Sequence, residues 1–348
     1  MCSTLRSVTV QNRREMARAR VRLAAETRRA LGALGYEEVE TPTLVPAPGM
    51  EPHLAPFETS FRPEGGGAPR PLWLITSPEY AMKRLLAEGF ERVFQFSRVF
   101  RNGELSATHN PEFTMLEFYR AGTDYRGIME DLERLIESAA RTMSPGGGTS
   151  VGRHGHRIEL TAPFERLTVQ EAFTRHAGVD LAACEGSGDR LRAAGRAAGH
   201  DAGPDGEPFE DAFFRLMLDA VEPRLGQQRP TFLLDWPASM AALSRVKAGD
   251  PRWAERFELY AGGLELANGF SELNDPVEQR ARLVEEQALR RRLGRPALPL
   301  DEPFLAALAR MPDAGGVAVG FDRLLMLLTG AASIADVLLF PAAEFLAP

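Results

Sequence analysis

The stretch "ERFELYAGGLELANGFSELNDP" (residues 255–276) decides how this chain folds and raises its chemistry. Apolar and small residues alternate around the Gly262–Gly263 pair, the pattern of two antiparallel strands joined by a tight turn. Yet Glu258, Glu265 and Glu272 interrupt what otherwise reads as core strand. With "YAGG" as the turn, Tyr260 faces Gly263 and Glu258 faces Glu265. Directly opposed residues have Cβ atoms roughly 5 Å apart, so two carboxylates there repel. A hard cation such as Mg²⁺ reverses that sign, and it commonly takes one or two carboxylates plus substrate phosphates. Gly269 is expected to end the pleat and free Glu272 for a ligand's ammonium group. The plain alternative is a solvated sheet face whose glutamates are balanced by arginines.

Working outward, "PTFLLDWP" (230–237) supplies a neighbouring strand, and "DPVEQRARLVEEQALRRRL" (275–293) a long helix. Asp275 is its expected N-cap, Pro276 its first residue and Glu278 the third member of a capping box. Upstream, residues 11–34 read as an Arg-rich amphipathic helix ending near Gly35. "YEEVETPTLVP" is a strand broken by Pro42 and Pro46. Residues 71–104 give strand, helix, strand; "PEFTMLEFYRAG" gives another strand; 125–142 gives a helix. Residues 163–225 hold short helices around a Gly-rich middle. The end reads as helix 301–310, strand 316–321 and helix 322–330. The fold class is α+β, an antiparallel sheet flanked by helices, in one domain over 1–348.

Bulk properties narrow the function. The chain has 348 residues, 44% hydrophobic and 26% charged, with a net charge of −7. That balance argues against a broad basic grip on nucleic acid. Cys2 and Cys184 have no metal or redox spacing, which points to a reducing cytoplasm. No apolar leader precedes Met16, and the apolar run 316–340 is broken by Asp322, Arg323 and Asp336, so it reads as core and not as a membrane span. "RHGHR" (153–157) reads as an exposed turn, and the arginines of 290–295 as a solvated helix end.

Two further stretches answer the glutamates. "VFRNGELSATHNPEFTMLEFYR" (99–120) sets Arg101 at a strand end, where its planar fork suits phosphate oxygens. His109 follows in the loop as a second neutraliser of phosphate, Phe113 offers a face to a planar base, and Glu117 and Tyr119 share one strand face. "GGVAVGFDRLLML" (315–327) sets Gly320 for close backbone approach and Arg323 at a helix start. Together they describe a site for a metal–nucleotide complex and a cationic substrate.

These stretches resemble the class II aminoacyl-tRNA synthetases. "GYEEVETPTL" is similar to motif 1, "FRNGE…HNPEFTMLEFY" to motif 2 and "GVAVGFDRLLML" to motif 3. "HNPEFTMLE" and "ELANGFSELND" resemble the lysyl subgroup. Motif 1 begins near residue 36, which leaves no room for an anticodon-binding OB domain upstream. "PTFLLDWPASMAALSRV" and Ala318, in place of the synthetases' glycine, resemble the truncated paralogues, the elongation factor P–(R)-β-lysine ligases.

The resemblance implies ATP and Mg²⁺ as cofactors, lysine or (R)-β-lysine as substrate, elongation factor P as acceptor in preference to tRNA, and a homodimer built on motif 1. It implies that Arg101, Arg323, Glu258 and Glu265 are catalytic, the two glutamates holding Mg²⁺. Asn102, His109, Asn110, Phe113, Leu259 and Gly320 join them around ATP. Ser77, Pro78, Glu79, Glu117, Tyr119, Glu265, Asn268, Glu272 and Ala318 line the amino-acid pocket, with Glu117 and Glu272 meeting the ε-ammonium. Motif 2 departs from the family at Gly103–Glu104, so no role is assigned to Glu104. Two rivals share these residues: a minimal enzyme charging tRNA, and a catalytically inactive regulator, which would be expected to have lost the motif arginines.

Overall fold

The computed structural model describes residues 10–184 and 186–346; Cys2 lies outside them. Eight strands form the main sheet: β1 Glu37–Glu38, β2 Arg92–Phe100, β3 Glu112–Ala121, β4 Glu165–Thr168, β5 Thr231–Pro237, β6 Trp253–Ala261, β7 Leu264–Ser271 and β8 Ala314–Gly320. Their order is β1-β2-β3-β8-β7-β6-β5-β4. The six central strands are antiparallel, as expected, but both edge pairs, β1–β2 and β5–β4, are parallel, so the sheet is mixed. The strand expected over "YEEVETPTLVP" shrinks to Glu37–Glu38 and Leu44–Val45, because Pro42 between them and Pro46 after them cannot donate to a ladder.

Helices α1 Val10–Ala33, α3 Tyr125–Met143 and α6 Phe321–Thr329 cover one face, with α2 Glu79–Ala87, α4 Phe209–Leu216 and α5 Pro276–Arg292 elsewhere. Leu23, Leu31, Leu132, Leu135, Ile136 and Leu325 meet Leu116, Phe118, Phe257, Leu259, Val317 and Val319 there in one core. The period of two then fixes the rest: Met115 and Tyr119, like Glu117, alternate with Leu116 and Phe118 and face the other way. Asp124 starts α3 by accepting from Arg126 N and Gly127 N at 3.0 and 3.1 Å. Asp275 caps α5 in the same manner, while Glu278 pairs with Arg282 instead of closing a box.

The hairpin differs from the expected register. Gly262 and Gly263 have φ of +59° and +73°, which suits a two-residue turn of left-handed residues, so Ala261 pairs with Leu264. A bulge follows: Tyr260 pairs with Glu265, but Leu259 pairs with Ala267, leaving Leu266 unmatched. Glu258 therefore faces Asn268 and not Glu265. The bulge also reverses the parity of β7. Glu265 before it and Asn268 after it, three residues apart, now share the face opposite the helices. Gly269 does not end the pleat, since pairing runs on to Ser271; it is glycine because a Cβ would lie 2.4 Å from the Phe257 ring.

Candidate functional site

One row crosses four strands: Glu117, Ala318, Asn268 and Glu258 are paired in turn from β3 to β6. At about 4.8 Å per strand, its ends lie roughly 14 Å apart. Above this row opens a cavity of about 880 Å³. It is lined by Ser77, Glu79, Arg101, His109, Asn110, Phe113, Tyr119, Glu265, Asn268, Glu272, Ala318, Gly320 and Arg323, so the three stretches singled out in sequence converge. Pro78, Asn102, Glu117, Glu258 and Leu259 do not line it.

The reasons differ. Pro78 is buried and starts α2, its carbonyl accepting from Met82 N at 3.1 Å. Asn102 is exposed, and its N–H is bound to Ala55 O at 2.7 Å. Leu259 points into the helix-side core. Asn110 borders the cavity, but its amide donates to Glu112 O at 2.6 Å and accepts from Ala342 N at 2.9 Å, which ties it to backbone.

At one end, Arg101 lies over the Phe113 ring at 5.2 Å and stands 3.9 Å from Glu104. Gly103, with φ of +88°, turns the loop so that Glu104 reaches the cavity, where its Oε2 is buried without a partner. Sequence reading left Glu104 without a role; an orphaned acceptor at the wall calls for a donor on a ligand. Arg323 donates to Glu265 O at 2.8 Å, to Thr108 O at 3.3 Å and to His109 Nε2 at 2.7 Å. Because a guanidinium only donates, Nε2 accepts, and the ring carries its proton on Nδ1, facing Ser106 Oγ at 2.9 Å. Burial, with Arg323 beside it, lowers the His109 pKa. The expected cationic histidine is thus neutral here. Asp322 fixes this corner by accepting from Thr114 N at 2.7 Å and pairing with Arg20. Gly320 has an ordinary φ, and a Cβ there would meet only Arg323 carbons at 3.5 Å, so nothing in the protein demands glycine.

Beside it lies the proposed metal pair. Glu265 lines the cavity. Glu258 sits behind, its oxygens taken by Arg256 and by Tyr260 Oη, both at 2.5 Å. Burial pushes the Glu258 pKa up against the pull of Arg256, and Glu265 adds to the rise, so the like-charge repulsion survives the changed register. Among the described residues no three His, Cys, Asp or Glu side chains gather closely enough to hold a metal. The donor set fits a cation that takes most of its ligands from phosphates.

The other end is acidic. Glu117 accepts from Ser77 Oγ at 2.6 Å and from Tyr119 Oη at 2.7 Å, and burial pushes its carboxyl up to about 8. Glu272 is wholly buried and meets Lys83 Nζ at 2.5 Å; Lys83 also meets Glu79 at 2.6 Å. Lys83 was not foreseen: it reads as a surface residue of α2 until Glu272, the residue after β7, packs against it. Gly316 permits the contact, since a Cβ there would lie 2.3 Å from the Tyr119 ring and 2.4 Å from Glu272. Asn268 Oδ1 is buried without a partner between the two ends. The whole arrangement offers cations and an aromatic face at one end and carboxylates at the other.

Two of the arginines of 290–295 depart from expectation, while Arg291 and Arg292 are exposed as a solvated helix end requires. Arg290 is 2% exposed and donates to Glu51 O and Leu54 O at 2.9 and 2.8 Å; Arg295 donates to Pro52 O at 2.8 Å. They clamp the loop that brings Glu51 to the cavity. The 153–157 segment is the turn of a small hairpin, with His154 and Gly155 both at positive φ.

Comparison with known proteins adds to this geometry. The family described as tRNA synthetases class II (D, K and N) matches residues 4–344. Proteins named elongation factor P–(R)-β-lysine ligase from Salmonella paratyphi B and from Salmonella schwarzengrund are each 41% identical over 323 residues, spanning 92% of this chain and 93% of theirs. One of the same name from Salmonella enteritidis is similar to the same extent.

Proposed function

The chain belongs to the class II tRNA synthetase family of the D, K and N type, and from that premise we propose that it is an ATP-dependent ligase. It activates (R)-β-lysine, or lysine, as an aminoacyl-adenylate and transfers it to a lysine side chain of elongation factor P. The observation that carries this is the cavity's division into a guanidinium end and a carboxylate end, bridged by the row through Ala318 and Asn268. The names of the relatives supply the acceptor.

No protein nucleophile is required. The substrate carboxylate attacks the α-phosphorus of ATP, the bond to the β-phosphate oxygen breaks, and pyrophosphate leaves. Arg101 holds the α-phosphate and Arg323 the neighbouring charge, so catalysis consists of alignment and stabilisation of developing negative charge. Phe113 takes adenine on its face, and Glu104 Oε2 accepts from the adenine amino group. Glu79, Glu272 and Tyr119 receive the amino end of the substrate. Glu265, with Glu258 behind it, would hold Mg²⁺, which when bound neutralises phosphate charge. An amine on the acceptor then displaces AMP. We further propose a homodimer acting in the cytoplasm, on the resemblance in motif 1 and the cysteine usage.

The test incubates the enzyme with ATP and each labelled lysine isomer, then offers elongation factor P or tRNA. Label on elongation factor P is expected. Label on tRNA alone would replace this reading with a lysyl-tRNA-forming one.

A further inference from the structure

Several carboxylates on the cavity wall, Glu51 and Glu286 among them, have no task in adenylate formation. Glu51 sits on the loop clamped by Arg290, its side chain turned back over Gly49, where an added methyl would meet it at 2.8 Å. The hydrogen bond it accepts from Thr76 Oγ1 is long at 3.4 Å. Glu286 lines the cavity one helical turn before Arg290, on α5, and makes no hydrogen bond or ion pair among the described residues. Two of the cations nearby are committed elsewhere. Arg290 serves backbone carbonyls, and Arg282 donates to Ala242 O and Ser244 O at 2.9 and 2.8 Å and to Glu278.

An independent observation points to a cationic ligand in this cavity. Glu272, with no exposed surface, presents two carboxylate oxygens that lack a regular hydrogen bond, Lys83 being shared with Glu79. Two buried carboxylates that share one ammonium are left with excess negative charge, which favours a cationic ligand. The amino acid supplies ammonium groups for Glu79 and Glu272. Glu51 and Glu286 remain, with Glu210, Asp211 and Glu285 also on the wall.

Chemistry supplies the second cation. Adenylate formation uses a carboxylate and needs no base. Transfer uses an alkylamine, which with a pKa of about 10.4 arrives protonated and without a lone pair. His109 is engaged by Arg323 and Tyr119 by Glu117, so neither is free to take that proton. Glu51 lines the cavity together with Arg101 and Glu79 and feels both charges. We propose that Glu286, backed by Glu51, binds the acceptor ammonium and accepts its proton during transfer. The nitrogen then bonds to the adenylate carbonyl carbon while the carbon–oxygen bond to phosphate breaks. AMP leaves with that electron pair. The first proton goes to Glu286 and the second, released as the amide forms, to Glu51. Burial and the mutual repulsion of the two raise the Glu286 pKa to about 8, so the free side chain holds a proton at neutral pH and becomes the carboxylate base once the entering ammonium favours its ionised form; Glu79, Glu285 and Arg282 are the other charges that face it.

This inference rests on the function proposed above, and one experiment separates their failures. Glu286→Gln and Glu51→Gln are assayed with the wild type for ATP–pyrophosphate exchange, for capture of the adenylate by hydroxylamine (a nucleophile already neutral at neutral pH), and for transfer to the protein lysine. Exchange and hydroxylamine capture are expected to persist in Glu286→Gln, while lysine transfer falls about 100-fold and recovers in part as rising pH frees the amine. Persistent capture also shows that the variant is folded. Equal loss of capture and transfer, a raised KM for the amino acid in exchange, or unchanged transfer would each overturn the proposal. Absence of exchange in the wild type would instead remove the parent reading.

Discussion

The Lys83 ammonium lies 2.5 Å from a Glu272 carboxylate oxygen, and neither side chain has any exposed surface. An ammonium of the protein therefore already occupies the edge of a pocket proposed for an ammonium of the substrate. Its pKa is raised because the pull of Glu272 and Glu79 outweighs burial, so Lys83 stays charged. Glu272 is also raised, since burial and Glu79 outweigh the attraction of a lysine it must share. Removing Lys83 leaves crowded carboxylates with no cation. Lys83→Met is expected to lower unfolding free energy by about 3 kcal/mol in denaturant titration at neutral pH. Adding Glu79→Gln should restore part of the loss. An unchanged midpoint in the single variant would show that the pair contributes nothing.

The six central strands of the sheet were legible because their apolar residues alternate or run unbroken, and α5 because Asp275 marks its start; the edge strand β4 was not, since 163–225 reads as short helices. The carboxylates were legible as a set, since three glutamates in apolar strands need partners. Their geometry was not. A Gly-Gly turn followed by a bulge has no signature that distinguishes it from the plain hairpin, and one residue decides which face Glu265 takes. Arg290 and Lys83 were misread or passed over for a different reason. Each looks like an ordinary polar residue of a helix until a distant segment, the 51–54 loop or the residue after β7, arrives to bury it.

Glycines separate structural need from ligand need. At Gly316 a Cβ would collide with Tyr119 and Glu272, so Gly316→Ala is expected to lower both thermal stability and affinity for the amino acid. At Gly320 the nearest atoms stand 3.5 Å away and the backbone is unstrained. Gly320→Ala should leave the melting temperature unchanged while raising the KM for ATP in pyrophosphate exchange. A loss of stability equal to that of Gly316→Ala would mean that the space at Gly320 serves the fold and not the nucleotide.

Arg323 holds His109 as a neutral acceptor in the free protein. Nitrogen-resolved NMR of the ring should show a proton on Nδ1 and a titration below the usual histidine range. Arg323→Ala removes both a phosphate ligand and the neighbour that suppresses protonation. It should cut exchange by about 100-fold or more and raise the His109 pKa. Full exchange in that variant would take Arg323 out of the nucleotide site.

Burial lifts Glu117 from 4.5 to about 8 in the free protein, where it is held by Ser77 and Tyr119. Between these values the folded state keeps a proton that the unfolded chain has lost. The stabilisation from neutral Glu117 is therefore complete below 4.5 and disappears as pH rises through about 8. Glu117→Gln keeps a neutral side chain at every pH, so its stability relative to wild type should climb across that window. Substrate binding works in the opposite sense. An ammonium group entering beside Ser77 and Tyr119 favours the ionised carboxylate, so binding expels the proton and tightens as pH rises toward 8. Calorimetric titrations of the amino acid at pH 7, in two buffers of different ionisation enthalpy, should report proton release, and Glu117→Gln should diminish it. Identical heats in both buffers would mean that Glu117 is either charged before binding or beyond the reach of the bound ammonium, and the carboxylate end of the cavity would lose its link to the substrate.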